Sequence, residues 1–207
     1  MTLDIRRLNA EQLDVLRELA NMGAGHAATA LSELTSRAIG MDVPEVSVVP
    51  TADVAGVLGE ADGPLTAVLM DVRGNINARI VQVLPGRTAE RLTSIVLGEL
   101  EVVFPAGFGE RHYDALEEIG EVVVGAYLNA VSVLLGQPLM PSPPNLRTGM
   151  TDGLLSSLLL EQEGAGGWVV CVNARLLIGD ERLPAHVLLI PDDGAIAIML
   201  HVLKWPT

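Results

Sequence analysis

Asp14, Glu18, Asn21 and Gly25 follow one another at steps of four, three and four. On an α-helix such steps place side chains on a single stripe. The stripe offers a carboxylate and a carboxamide beside a glycine, groups that can grip a partner's donors and acceptors. It lies away from a second set, Leu13, Leu16, Ala20, Ala24, Ala27, Ala28, Leu31 and Leu34, which recurs at three and four and marks a buried face. Polar residues on a solvent-facing helix need no special reason, but two choices here do. Asn is a weak helix former, costing several tenths of a kcal/mol relative to Ala, and a glycine in a helix interior costs about 1 kcal/mol. One reading is that Gly23 or Gly25 permits tight packing inside the protein. The other is that a partner's backbone lies across Gly25 and takes hold of Glu18 and Asn21.

Other reactive residue types do not cluster. His26, His112, His186 and His201 are scattered, and no metal site is expected from them. Cys171 is the sole cysteine, set in the apolar run WVVCV, and reads as a small buried hydrophobe on a strand. No Cys or Ser-His grouping suggests a covalent intermediate.

The helix that carries the stripe is repeated. Without a gap, Asp14 falls on Asp114, Leu16 on Leu116, Glu18 on Glu118, Gly25 on Gly125, Ala30 on Ala130, Ser32 on Ser132 and Pro44 on Pro144. A duplicated chain is read first as two copies of one structural unit. Asn21 is the polar position that breaks the match, because Glu121 stands there in the second copy.

A helix capped by Asn9 is predicted to run to about Ala38, with Pro44 following its end. Glu45–Val49 reads as a short strand, and 51–58 as an ambiguous stretch compatible with a helical turn. Thr66–Val72 and Ile76–Leu84 read as strands joined at Gly74-Asn75, followed by a helix over Thr88–Leu97 that stops at Gly98. The order then returns: a helix over Glu110–Leu135, a strand over Asn145–Met150, a short helix over Leu154–Glu161, strands over Trp168–Leu177 and Ala185–Ile190, and a closing helix from Pro191 to about Leu203. Pro85 and Pro191 are 106 apart, so the second copy gains a few residues after Gly164. Residues 98–111 are turn-rich and too short for a flexible tether.

The expected architecture is a single α+β domain over 1–207, built from two repeats of about 1–98 and 110–207. Pseudo-twofold symmetry would relate two three-stranded β units, which form a sheet covered by long helices. Aromatic residues are only 3%, so the core must be aliphatic and stacking platforms for bases are scarce. A net charge of -13 excludes a nucleic-acid partner, whose phosphates need Lys and Arg. The polar start is unlike a signal peptide, and acidic or amide residues interrupt every apolar run before the ~20 residues needed for a membrane span. A cytoplasmic, monomeric protein is expected.

At these residues the chain resembles the CheC/CheX/FliY family of chemotaxis phosphatases. The family signature is an acidic residue or Ser, three spacers, Glu, two spacers, Asn, 22 spacers and Pro, matched here by Asp14, Glu18, Asn21 and Pro44. The flanking LANMGAGHAATALSEL is also similar. The resemblance implies hydrolysis of the aspartyl phosphate on a CheY-type response regulator. It implies that Glu18 docks to the regulator and pairs with its active-site lysine, while the Asn21 carboxamide enters the regulator's site and orients the attacking water. Asp14 would lie at the edge of the contact, Gly25 would admit the partner, and Pro44 would support the site. Such chemistry needs positioning and charge stabilisation rather than a covalent step. Mg²⁺ would be held by the regulator, and this chain would need no cofactor or metal of its own. The resemblance also admits a non-catalytic role, as a binding module for the receptor deamidase CheD or as a FliY-like part of the flagellar switch.

The second copy keeps Asp114, Glu118 and Pro144. An ionised Glu121 only accepts hydrogen bonds and would bring negative charge towards a phosphoryl group. A weak or dead second site is expected. The opposing reading is that the Glu121 carboxylate takes a proton from water as a general base.

Overall fold

The computed structural model describes residues 8–58, 63–73, 76–99, 103–136, 138–160, 167–192, 194–195 and 198. The first helix, α1 (Ala10–Thr35), begins with a capping box. The Asn9 side chain accepts from the Gln12 N–H, and the Gln12 side chain accepts from the Asn9 N–H, both at 2.9 Å. Two N–H groups that the helix cannot satisfy are thereby paired. The helix ends at Thr35, three residues before the expected Ala38, and is capped by Ser36 in the left-handed conformation (φ 51°). Ser32 ties that end to the following strand: its hydroxyl donates to the Ala28 carbonyl at 2.7 Å and accepts from the Ile39 N–H at 3.0 Å.

That strand, β1 (Ile39–Pro50), is far longer than the expected 45–49 and contains Pro44. Pro44 therefore lies inside a strand, at a register shift between Asp42 and Glu45, rather than in a segment between helix and strand. Proline cannot donate to a ladder and is confined to edges and bulges; among the described residues β1 is an edge strand, paired with β6 alone. In the second copy the same place is broken outright. Met140–Pro141 (β4) and Asn145–Met150 (β5) pair separately with β2, and Pro144 falls between them.

A 3₁₀ turn (Thr51–Asp53) and α2 (Val54–Val57) occupy the ambiguous 51–58 stretch. Then come β2 (Pro64–Arg73), β3 (Ala78–Pro85) and α3 (Gly86–Leu97), which ends at Gly98 with φ 65°. The long helix α4 (Glu110–Leu135) has the expected bounds. Its approach is packed: the Phe104 N–H donates to the Glu90 carboxylate at 2.7 Å, and Phe108 stacks on His112 with ring centres 4.7 Å apart. Next are α5 (Thr151–Leu160), β6 (Trp168–Ile178) and β7 (Glu181–Pro191). Gly74-Asn75, the residues expected to be inserted after Gly164 and most of those expected to form the closing helix lie outside the described residues.

The strands form one antiparallel sheet in the order β1-β6-β7-β3-β2, with β4 and β5 both on the far edge of β2. Exchanging β1, β2 and β3 for β5, β6 and β7 reverses this order, which is compatible with the expected duplication. Each half supplies three main strands, but they do not close into separate units. The leading strand of each half pairs with the hairpin of the other, so neither half holds a complete sheet.

Both faces of the sheet are covered. On one, α1, α3 and α4 bury Leu16, Ala20, Leu92, Leu116 and Ile119 against Met70, Ile80, Leu84, Val170 and Leu176. On the other, α2 and α5 place Val54, Leu58, Leu154 and Leu158 over Ala67, Val81, Val169, Cys171 and Leu188. Burial on both faces explains why the central strands read as nearly continuous apolar runs. Because core contacts consume one face of α1, the opposite stripe is left outside.

Candidate functional site

On α1, Leu16, Ala20, Gly23, Ala24, Ala27 and Leu31 are buried, whereas Asp14, Glu18, Asn21 and Gly25 are all exposed. The four residues singled out from their spacing thus share the outward face. Asp14 accepts from Arg17 at 2.7 Å, an exposed pair of small energetic weight. The Glu18 and Asn21 side chains make no hydrogen bond or ion pair with any described residue. Asn21 is exposed, and a carboxamide can accept with its oxygen and donate with its nitrogen.

The two glycines separate. A Cβ on Gly23 would stand 2.5 Å from Tyr127 Cδ1, so Gly23 exists for the packing of α4 on α1. A Cβ on Gly25 would meet nothing within 4 Å. Internal packing accounts for Gly23 and leaves Gly25 without an internal reason.

The second copy presents a parallel face. Asp114, Glu118 and Glu121 are exposed, Gly125 is half-buried with open space over it, and none of the three carboxylates has a partner among the described residues. Pro44 is exposed and Pro144 half-buried, each at the irregularity of its strand.

A small substrate is held in a concave, largely apolar pocket. Glu18 and Asn21 stand instead on an open helix surface. A hollow of about 470 Å³ opens further along the same helix, lined by Thr29, Ser32, Arg37 and Ile39 among others, without reaching Asn21. A protruding amide and carboxylate suit insertion into another protein's cleft.

Two features were not foreseen. Met22, next to Asn21, is 44% exposed, although methionine at helical spacing ordinarily reads as core. A partly buried polar chain also runs under α2: buried His186 has its Nδ1 3.1 Å from Asn173 Oδ1, and Asn173 Nδ2 donates to the Val57 carbonyl at 3.3 Å. Burial lowers the His186 pKa to about 4. Cys171 is buried as expected; burial first, and the Glu45 charge second, push its thiol up to about 12, which leaves no reactive thiolate. Among the described residues, no three His, Cys, Asp or Glu side chains gather as a metal site, and no helix is long and apolar enough to cross a membrane.

Residues 11–48, which hold the entire stripe and Pro44, match the model of the CheC-like family. The chain is 29% identical to the CheY-P phosphatase CheC of Bacillus subtilis (strain 168) over 189 residues, 89% of this chain and 90% of that protein. The crystal structure of Thermotoga maritima FliY shares the fold with a TM-score of 0.79 at 21% identity, covering 95% of this chain and 98% of that one. A CheX–CheY–BeF₃–Mg²⁺ complex from Borrelia burgdorferi matches with a TM-score of 0.54 at 14% identity, covering 85% of this chain and 97% of that one.

Proposed function

We propose that this CheC-like chain is a protein-aspartate phosphatase that hydrolyses the aspartyl phosphate of a CheY-type response regulator in chemotaxis signalling. The observation that carries the reading is the pairing of Glu18 and Asn21, unpartnered and exposed on one stripe of α1, with open space over Gly25. Glu18 docks against the regulator and pairs with a lysine of its active site. Asn21 enters beside the acyl phosphate, where its carbonyl oxygen accepts from the attacking water and its N–H donates to the reacting oxygens. The regulator contributes the phosphoaspartate and Mg²⁺. Little else is required, because phosphoryl transfer is dominated by positioning and charge stabilisation. Asp14 and Gly25 lie at the margins of the contact, and Pro44 shapes the strand behind it.

The second face keeps Glu118 for docking and lacks the amide, so it carries little or no hydrolysis. Both repeats serve as one domain, and the protein works as a cytoplasmic monomer. The test is the decay of a phosphorylated CheY-type regulator with this protein, with Asn21→Ala and without either. Acceleration that disappears in the variant supports the reading; equal decay in all three rejects it.

A second reading is favoured by the high structural similarity to FliY. The chain would then be an adaptor of the chemotaxis or switch machinery, with CheD as one candidate partner. Partner binding without phosphoryl release, indifferent to Asn21→Ala, would select this reading.

A further inference from the structure

Met22 stands among few large apolar side chains exposed on the described surface; the others are Val103, Val133, Met140 and Met150, none of which neighbours the Glu18–Asn21 stripe in the chain. Met22 lies four residues after Glu18, directly after Asn21, three before Gly25 and four before His26. Separations of three and four make Glu18, Gly25 and His26 direct neighbours of Met22 on the helix surface, with Asn21 beside Glu18 and Gly25 on the flank of the same exposed region. The rest of that surface is polar or open: Asp14, Arg17, Glu18, Asn21, Gly25, His26 and Thr29 are all exposed. The core of α1 does not need Met22, because Leu16, Ala20, Ala24, Ala27 and Leu31 already fill it.

We propose that Met22 is the apolar anchor by which α1 holds the phosphorylated response regulator, setting affinity while Asn21 sets turnover. The assignment rests on the phosphatase reading above and deepens it. Association energy concentrates in a few side chains surrounded by near-neutral contacts that exclude water, and methionine is enriched at protein interfaces. Met22 has that setting, with Glu18 and Asn21 on one side and His26 beyond. Gly25 adds the approach: with no Cβ there, a partner's backbone reaches the helix surface beside the thioether. Methionine is unbranched and polarizable, so it fits an irregular apolar contact without demanding one shape. The partner's matching surface therefore carries an apolar hollow beside the cationic group that meets Glu18. Because Met22 touches neither the water nor the phosphoryl group in this arrangement, it is a specificity residue rather than a catalytic one.

The experiment measures two quantities on the full chain: hydrolysis of a phosphorylated CheY-type regulator, and binding of the same regulator activated with fluoroberyllate and Mg²⁺. Met22→Ala is expected to raise KM and Kd together by about tenfold, the range for losing one buried side-chain contact, with kcat within twofold of the parent. Met22→Leu is expected to restore most of the affinity, and Asn21→Ala to lose kcat at unchanged Kd. Unchanged KM and Kd in Met22→Ala, or a Met22→Leu chain as weak as Met22→Ala, overturns the assignment. If the parent binds the activated regulator through Met22 without hydrolysing it, the phosphatase reading fails while the anchor stands. If the parent does not bind it at all, both fall.

Discussion

The Tyr127 ring of α4 lies directly against the backbone of Gly23 in α1, where a methyl group would come within 2.5 Å of the ring edge. The Tyr127 hydroxyl reaches on to the Met41 sulfur of β1 at 3.8 Å, so one side chain joins both long helices and an edge strand. Burial raises its pKa well above the ordinary tyrosine range, and it remains a neutral donor. Two residues further along α1, Gly25 points the other way into open space.

These two glycines should therefore respond oppositely to the same change. Gly23→Ala forces the ring aside and should destabilise the fold by about 1–3 kcal/mol, the usual cost of overpacking. Gly25→Ala should stabilise it by up to about 1 kcal/mol through helix propensity alone, while slowing regulator dephosphorylation. Chemical denaturation of both variants beside a decay assay checks this. A Gly25→Ala chain with full phosphatase efficiency would show that nothing approaches α1 at that point.

Asn21→Ala should lower turnover by about 10²–10³, the effect of losing one group that stabilises or positions the reacting atoms. Glu121→Ala, at the matching point of α4, should change it less than twofold. Loss of most activity with the Glu121 change would move the working site to α4 and make the carboxylate a general base. Stopped phosphotransfer with radiolabelled regulator resolves these rates.

Much of this arrangement was legible in the residues. The three-four recurrence of Leu16, Ala20, Ala27 and Leu31 located α1 and, by exclusion, its exposed stripe. The ungapped match to Asp114, Glu118 and Gly125 located α4. The edge strand was not legible in full, because Gly40, Asp42 and Pro44 interrupt the apolar pattern that marks a strand, and only pairing with Arg175, Leu176 and Leu177 of β6 completes it. Nor could spacing reveal that β1 crosses to the other half's hairpin, since the choice of partner is a long-range matter. Met22 escaped notice because a methionine one step from Asn21 has no polar signature; its meaning depends on exposure, which periodicity only suggests.

Glu18 is exposed and unpaired among the described residues, so the docking role proposed for it would be electrostatic and open to screening. Glu18→Gln should raise KM by about tenfold at low ionic strength, with the difference shrinking as salt shortens the Debye length below about 8 Å. kcat should hold within a few-fold. Measuring KM for both chains across a salt series provides the check, and a salt-independent defect would assign Glu18 to the chemical step instead.

His186 makes stability pH-dependent in a defined window. Asn173 gives its amide N–H to the Val57 carbonyl, so its carbonyl oxygen faces His186, and His186 Nδ1–H donates to it. The neutral ring is thus satisfied, while burial disfavours the charged one and brings the pKa from the ordinary 6.5 to about 4. The unfolded chain takes up a proton below pH 6.5 that the folded chain refuses until about pH 4. The stabilisation is therefore fully present above pH 6.5, declines as pH falls through that interval, and has no more to lose below it. At 1.36 kcal/mol per pH unit the decline attributable to this group is about 3 kcal/mol. Glu45 faces the same cluster through a 3.4 Å contact with Asn173. Denaturation midpoints from pH 8 to pH 4 should fall more steeply for the parent than for His186→Gln. Parallel curves would mean that the ring accepts its proton without cost and that the neutral hydrogen-bonded state of His186 is wrongly assigned.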